Sequence, residues 1–265
     1  MSKAKAPFRL RIVSDTHCGN HLGLWPPDFE YEGEMYAQNK VNRWLWECWR
    51  HMIDQYPAPD LLIHAGDIVD GMAPKDRGVG VKTADPEVQQ AAAIEVMRPL
   101  VQQCPQWYMV KGTQYHERYW LGIVNELKAI KFPDGSRSGP VLDLRIRDRV
   151  VNIAHHPDAG GVIYRATAME KTLVASMLAS AMNEVPQADV IVRAHTHFPG
   201  IVQMYGRTAI FTPCWQLQTR YAVKKAFYRM RPKIGFIDVI FGDEEYPEVR
   251  QVIYPIPVTK VVDIA

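Results

Sequence analysis

Five short apolar segments of this chain each lead into Asp or His residues. The first, Phe8–Val13, alternates apolar residues with arginines, a pattern typical of a β-strand, and is followed by Asp15 and His17. In an extended segment, residues two apart project from the same face, so this carboxylate and imidazole are expected to point in one direction. One such pair is common by chance, and its meaning depends on the other four segments.

The other four segments repeat this arrangement. They and the residues that follow them are 61–65 with Asp67 and Asp70, 107–110 with His116, 150–154 with His155 and His156, and 189–193 with His195 and His197. Six of the nine histidines lie at these five ends. In a layered α/β fold, strand ends that share one edge of a sheet form the crevice in which ligands bind. The sequence therefore predicts one site assembled from five strand ends.

Helical periodicity separates these segments. Apolar residues recur at three- and four-residue steps within the predicted helices 34–56, 86–104, 119–130 and 164–183. The stretch 19–33 is rich in Gly and Pro and is predicted to be a loop, and the last third of the chain is predicted mostly as strand. Alternating strands and helices followed by neighbouring strands are typical of an α/β sandwich of mixed sheets. At 265 residues and without a linker-like stretch, 1–265 is predicted to be a single domain.

Composition and charge limit the compartments and partners that we expect for this protein. The formal net charge of +2 gives no overall preference for polyanions or membranes. The four cysteines lie far apart, which argues against a zinc ribbon or a disulfide framework and fits a reducing compartment. The N-terminus shows no apolar signal segment, and no run is long and apolar enough to span a bilayer. We expect a cytoplasmic protein with no membrane association, and the oligomeric state is left open.

The five blocks resemble the signature blocks of the calcineurin-like metallophosphoesterases. The matching elements are Asp15-x-His17, Gly66-Asp67-x-x-Asp70, a Gly-x-x-x-His-Glu element, His155, and His195-x-His197. They cover about two thirds of the chain, and their order and strand-end placement agree with the family. The resemblance implies a four-layer αββα sandwich of two mixed β-sheets flanked by helices, with two metal ions at the edge of the sheets.

The resemblance also implies a role for each matching residue. The implied ligands of the first metal are Asp15, His17, Asp67 and His197. The implied ligands of the second metal are Asp67, as a bridge, His155 and His195. His116 would be the catalytic histidine beside the metals, and Asp70 is expected to orient a ligand or the turn at 66–67 from outside the ligand shell. Between His155 and His156 we favour His155, which follows its strand directly, whereas His156 could face substrate or cap the turn.

One block departs from the family pattern. The family usually has Gly-Asn-His followed by Glu or Asp, and its Asn amide binds the second metal, whereas this chain has Gly-Thr-Gln-Tyr-His-Glu at 112–117. Thr113 occupies the Asn position counted from the glycine and is our predicted ligand, with the longer Gln114 amide as the alternative. The departure lowers the metal affinity that we expect of the second site, more than it argues against the site itself. It also points to a phage or prophage-type member.

The chemistry expected of these residues agrees with the resemblance. Mixed carboxylate and imidazole ligands suit Mn, Fe, Zn or Ni better than Mg or Ca, and we expect two divalent transition-metal ions, with Mn first. Two metals about 3.5–4 Å apart can clamp a phosphate and activate a water as hydroxide. An imidazole such as His116 titrates near neutral pH and can protonate the departing oxygen or stabilise charge on the phosphoryl group. The predicted protein is therefore a hydrolase of phosphate esters.

A basic and aromatic segment at 219–233 bears on which class of phosphate ester is the substrate. Its cations include Arg220, Lys224, Lys225, Arg229 and Arg231, interleaved with aromatic residues. Cations with stacking faces are what a nucleic-acid groove uses, and a solvated surface is an equally good interpretation. We slightly prefer a phosphodiesterase or nuclease. A phosphomonoesterase acting on a small molecule or a phosphoprotein is the alternative, and a metal-binding scaffold with little turnover is a third.

Overall fold

A computed structural model describes residues 6–72, 78–116, 120–158, 164–220, 223 and 231–257. The strands are β1 (Phe8–Val13), β2 (Phe29–Tyr31), β3 (Glu34–Tyr36), β4 (Leu61–His64), β5 (Trp107–Val110), β6 (Ser138–Gly139), β7 (Val141–Ile146), β8 (Arg149–Ala154), β9 (Val190–Arg193), β10 (Gly200–Met204), β11 (Arg207–Phe211), β12 (Ile234–Phe241) and β13 (Glu248–Tyr254). The helices are α1 (Lys40–Gln55), α2 (Pro86–Gln103), α3 (Trp120–Glu126) and α4 (Arg165–Ala181).

Two mixed sheets contain all of these strands except the small β2–β3 hairpin. The first sheet has the order β13-β12-β1-β4-β5-β6, and the second has the order β10-β11-β9-β8-β7. In the first, β1, β4, β5 and β6 are parallel to one another, and β12 is antiparallel to both of its neighbours, β1 and β13. Val13 pairs with His64, which in turn pairs with Met109, so the carboxyl ends of β1, β4 and β5 lie side by side.

The second sheet aligns its strand ends in the same way. Its three central strands β11, β9 and β8 are parallel, and the outer strands β10 and β7 are antiparallel to their neighbours. Arg193 at the end of β9 pairs with both Phe211 and Ala154. The loops that follow β8 and β9 therefore start at one edge of this sheet.

Three apolar clusters divide the molecule into four layers. One cluster joins inward-facing residues of the two sheets, among them Ile12 and Val192. A second packs the other face of the first sheet against α1, α2 and α3, for example Trp49 and Met97 against Leu62. The third packs α4 on the second sheet. Both faces of the central strands are covered, which explains their nearly continuous apolar sequences. The predicted αββα fold class is confirmed.

The predicted start of the first helix was wrong. Residues 34–36 form β3, which pairs with β2 inside the stretch predicted as loop, and α1 begins only at Lys40. Asn39 ends the irregular stretch because its side chain accepts hydrogen bonds from the backbone amides of Val41 and Asn42, and the Asn42 side chain accepts one from the Asn39 amide. This capping box fixes the helix start more firmly than the apolar periodicity did.

The other three helices agree more closely with the sequence. α2 and α4 lie within one or two residues of prediction. α3 ends at Glu126 rather than near residue 130, and Lys128 adopts a left-handed conformation just beyond it. Among the residues described, none of these helices combines the length and the apolar character needed to cross a membrane.

Candidate metal centre

Backbone hydrogen bonds join the loops that follow β1 and β4. The amide of Asp15 donates to Gly66 O at 2.9 Å, that of His17 donates to Asp67 O at 3.1 Å, and that of Asp70 donates to Cys18 O at 2.8 Å. These bonds continue the parallel pairing of the two strands beyond their ends. They hold the first two sequence blocks against each other before any side chain makes contact.

Five of the predicted ligands have a left-handed backbone. The residues and their φ angles are Asp15 at 54°, His17 at 44°, Asp67 at 55°, His195 at 65° and His197 at 60°. A non-glycine residue in this region costs about 1–2 kcal/mol, and such strain concentrates at functional sites. The finding also corrects our reason for expecting Asp15 and His17 to point together: β1 ends at Val13, so the loop conformation aims these side chains, and strand alternation does not.

The first cluster surrounds the Asp15 carboxylate. Its Oδ1 atom lies 3.1 Å from His197 Nε2 and 3.9 Å from His17 Nε2. Candidate ligand atoms of these three residues all lie within 4.8 Å of one another. Asp67 approaches from the other side, with its Oδ2 also 3.9 Å from His17 Nε2. The structure thus brings together the four residues that the resemblance implies for the first metal.

The second cluster surrounds His155. Its Nε2 atom lies 3.2 Å from Asp67 Oδ2 and 4.0 Å from Asp15 Oδ1. Its Nδ1 atom is 2.7 Å from Ala65 O, a carbonyl that only accepts, so Nδ1 carries the proton and donates it there. That bond orients the ring and turns Nε2 towards the carboxylates, as second partners of ligating histidines do. His195 lies beside it, with ring centroids 5.1 Å apart.

Asp70 supports the first cluster from behind. Its Oδ1 atom lies 3.2 Å from His17 Nδ1. Asn20 Nδ2 donates to Asp70 Oδ2 at 3.0 Å, and Gln216 Nε2 donates to Asp70 Oδ1 at 3.2 Å. These contacts hold the Asp70 carboxylate beside His17, and its outer orienting role stays a prediction. Asn20 and Gln216 were not predicted; Asn20 follows the first block closely, and no sequence signal marks Gln216.

The block at 112–117, which departs from the family pattern, contacts Asp67 through hydrogen bonds. The Thr113 amide donates to Asp67 Oδ1 at 2.6 Å, and the Thr113 hydroxyl donates to Asp67 Oδ2 at 3.3 Å. Gln114 is exposed at the start of the short 3-10 turn Gln114–His116. In that turn His116 Nδ1 donates to the backbone carbonyl of Asp70, and its Nε2 lies 3.9 Å from Asp67 Oδ2. His116 therefore faces the cluster with its second nitrogen.

The buried polar atoms test whether a metal fits here. Within the described part of the chain, Asp15 Oδ2, His17 Nε2 and His155 Nε2 are buried and make no hydrogen bond. Leaving a buried polar atom unsatisfied costs about 1–3 kcal/mol each. A divalent cation would satisfy all three at once, and carboxylate oxygens with imidazole nitrogens are a donor set that transition metals accept. The residues present fit such an ion.

The charges of the cluster are mutually dependent. Burial alone would raise the pKa of Asp15 and of Asp67, but the neighbouring His197 and His155 outweigh it, so both carboxyl pKa values fall well below the usual range. Burial opposes protonation of His155, yet Asp67 raises its pKa to about 9. Burial and the nearby His17 lower the pKa of His116. Both carboxylates are therefore ionised at neutral pH, as metal ligands must be.

The end of the basic segment lies next to the cluster. The Lys233 amide donates to His197 O at 3.0 Å, which places one end of 219–233 against a predicted ligand. Arg220 and Arg231 are exposed. The remaining cations of the prediction, Lys224, Lys225 and Arg229, lie outside the described residues.

Comparison with known proteins finds likeness only among solved structures. No protein-family model and no curated protein matches the chain. A predicted phosphoesterase from Streptococcus pneumoniae TIGR4 is 14% identical, with TM-score 0.44 over 95% of each chain. An archaeal phosphodiesterase is 13% identical, with TM-score 0.47 over 93% of this chain and 100% of its own. Wild-type Vps29 from Entamoeba histolytica, complexed with Zn²⁺, is 9% identical, with TM-score 0.43 over 93% and 99%.

Two of these three structures are described as a phosphoesterase or a phosphodiesterase. At these identities and TM-scores the likeness is too distant to carry a functional argument. What this chain can do is argued from its own side chains at the sheet edge.

Proposed function

We propose that this chain is a phosphoesterase that depends on two divalent metal ions held at the edge shared by its two sheets. One observation carries the proposal: two sets of ligand atoms, each within 4.8 Å, converge there. These sets are Asp15, His17 and His197, and Asp15, Asp67 and His155. Asp67 Oδ2 lies between His17 and His155, which suits a bridging ligand.

Bound metals would supply Lewis-acid polarisation of the phosphoryl group and a nucleophile at neutral pH. The protein's own part is to hold and move protons. His116 Nδ1 donates a hydrogen bond to the Asp70 carbonyl, so Nε2 is the atom available to substrate. A phosphate anion beside Nε2 favours the protonated imidazole, which counteracts the lowering of its pKa by burial. His116 would then protonate the leaving oxygen or stabilise charge on the phosphoryl group.

Manganese is our first expectation for the metal, with Fe, Zn and Ni as alternatives, because carboxylates and imidazoles contribute together. The four cysteines are free and buried, which fits a reducing compartment, and we place the protein in the cytoplasm.

A diester substrate is supported by the position of the basic segment. The Lys233 amide donates to His197 O, so this end of the segment lies against the cluster, and a cation there can contact the phosphates of a longer substrate. A phosphodiester, including single-stranded nucleic acid, is therefore proposed ahead of a phosphomonoester.

The test is a substrate panel with metal-stripped protein reloaded with Mn²⁺. Bis-p-nitrophenyl phosphate, p-nitrophenyl phosphate, and single- and double-stranded DNA are compared, and we expect metal-dependent hydrolysis with diesters preferred. Asp67→Ala should lower the rate by more than about 100-fold, because loss of even an outer partner of a ligand costs 10–100-fold. Asp54→Ala, an exposed carboxylate on α1, is the matched control.

The outcomes separate the alternatives. Faster hydrolysis of the monoester would favour a phosphomonoesterase. Hydrolysis of none of the substrates under any metal would contradict the enzyme and leave the metal-binding scaffold, which the missing Asn favours and the retained His116 opposes. Full activity in Asp67→Ala would show that the chemistry occurs elsewhere.

A further inference from the structure

We infer that His156 is a ligand of the second metal and takes the place of the amide that the block 112–117 lacks. The inference rests on the metal centre proposed above. Candidate ligand atoms of His155, His156 and His195 all lie within 4.8 Å of one another. Their ring centroids are 4.8 Å apart for His155 and His156, and 4.6 Å apart for His156 and His195. Three imidazoles thus form a triangle at the ends of β8 and β9.

A second observation, an unpartnered buried atom of His155, points to a ligand at this triangle. His155 is buried, and its Nε2 makes no hydrogen bond within the described part of the chain. Because its Nδ1 donates to Ala65 O, only Nε2 remains to bind a metal. That atom is 3.2 Å from Asp67 Oδ2, so a metal bound to His155 can reach the proposed bridge as well. His156 and His195 are exposed, which leaves their rings accessible to the same ion.

Thr113 is engaged elsewhere, which removes the first predicted substitute for the amide. Both its amide and its hydroxyl donate to the carboxylate of Asp67. A hydroxyl that points its proton at Asp67 positions that carboxylate. Gln114, the other predicted substitute, is exposed in the 3-10 turn. His156 therefore supplies the fourth donor of the second site.

This ligand set changes the metal preference of the second site. The first site has two carboxylates and two imidazoles, whereas the second would have one carboxylate and three imidazoles. Imidazole-rich sets favour Zn, Ni or Fe, and carboxylate-rich sets suit Mn better. The second site should accordingly bind Zn²⁺ more tightly than Mn²⁺ by a wider margin than the first.

The test is a titration of metal-stripped, full-length protein with Zn²⁺ by calorimetry, with metal content after dialysis as a second readout. The wild type should bind two equivalents. His156→Ala should keep the first and bind the second at least about tenfold more weakly, since loss of a direct ligand costs no less than loss of its outer partner. His51→Ala, an exposed histidine on α1, is the control and should keep two equivalents, and Thr113→Val tests the first predicted substitute separately.

Each other outcome is decisive. Unchanged binding of the second equivalent by His156→Ala would overturn the inference, and its loss in Thr113→Val alone would assign the ligand to Thr113. A wild type that binds one equivalent would overturn the inference while leaving a one-metal hydrolase possible. A wild type that binds none would overturn the proposed function too. Circular dichroism of the variants checks that each is folded, as expected for a change at an exposed side chain.

Discussion

At the scale of single residues, His64 is a buried core histidine that lies close to the candidate metal centre. It is the last residue of the apolar strand β4, and the structure buries it completely. The Thr16 hydroxyl donates its one proton to Ile68 O at 2.9 Å, so His64 Nε2 must donate to Thr16 at 3.1 Å. Nδ1 is left without a partner among the described residues. His64 is therefore neutral, and burial lowers its pKa to about 3.

This histidine should make the metal-free protein sensitive to acid. Below pH 6.5, the ordinary pKa of histidine, His64 is protonated in the unfolded chain but stays neutral in the folded protein. The free energy of unfolding therefore falls as the pH falls from 6.5 towards 3. The decrease is about 1.4 kcal/mol per pH unit, or about 2 kcal/mol between pH 7 and pH 5. His64→Gln keeps a donor near Thr16 but cannot titrate. Urea unfolding in chelator at both pH values should show a shallower pH dependence in the variant, and equal slopes would contradict the assignment.

At the scale of elements, the loops that follow the strands are packed too closely to accept a side chain at certain positions. A Cβ on Gly112, after β5, would collide with both the backbone amide and the Oδ1 atom of Asp67. A Cβ on Gly66, after β4, would collide with His155 Nδ1 and approach Gly112 Cα to 2.8 Å. The site therefore depends on close contact between the backbones of the loops after β4 and β5, and between the loop after β4 and the His155 ring.

Gly112→Ala should damage the centre through Asp67. Overpacking of this kind costs about 1–3 kcal/mol of stability, and displacing Asp67 should weaken binding of both metals. Calorimetric titration with Zn²⁺ and thermal unfolding are the measurements. Gly242→Ala is the matched control, because a Cβ there meets nothing closer than 4.0 Å and the backbone needs no positive φ. Equal metal affinity in the two variants would show that the loops yield without moving Asp67.

At the scale of the whole molecule, the two sheets contribute different halves of the site. The first sheet supplies Asp15, His17 and Asp67, and the second supplies His155 and the pair His195 and His197. The bond from His155 Nδ1 to Ala65 O joins the two halves, as does the bond from Trp215 N to Asp15 O at 3.0 Å. Relative movement of the sheets would separate the ligands, so sheet packing and metal affinity should be linked.

The basic segment should matter only for long substrates. Arg220→Ala combined with Arg231→Ala should raise the KM for single-stranded DNA and leave hydrolysis of bis-p-nitrophenyl phosphate unchanged. The slope of log affinity against log salt should shrink by about 0.7 for each DNA phosphate that the variant no longer neutralises. Arg50→Ala combined with Arg98→Ala removes two half-buried cations from α1 and α2, each paired with a carboxylate, and is the control. Equal salt slopes for the two double variants would contradict a nucleic-acid surface at 219–233.

Much of the candidate site followed from local sequence. Apolar runs that end in Asp or His predicted the strands, and parallel strand ends share an edge, so the gathering of Asp15, Asp67 and His155 was foreseeable. The αββα class followed from the order of strands and helices together with the resemblance. These features depend on residues close in sequence, where side-chain type and spacing constrain the backbone directly.

Other features depend on contacts between distant segments, which no local pattern encodes. Arg11 occupies a polar position of the alternating strand β1, yet it is fully buried against Asp238, which lies 227 residues away. Hydrogen bonds between separate loops are further examples. Asn20 and Gln216 donate to Asp70, and Thr113 donates to Asp67. The sequence by itself determined which residues could bind metal and in which layers they lie. Only the tertiary structure decided which atoms face one another, because left-handed loop residues and packing between the sheets set those directions.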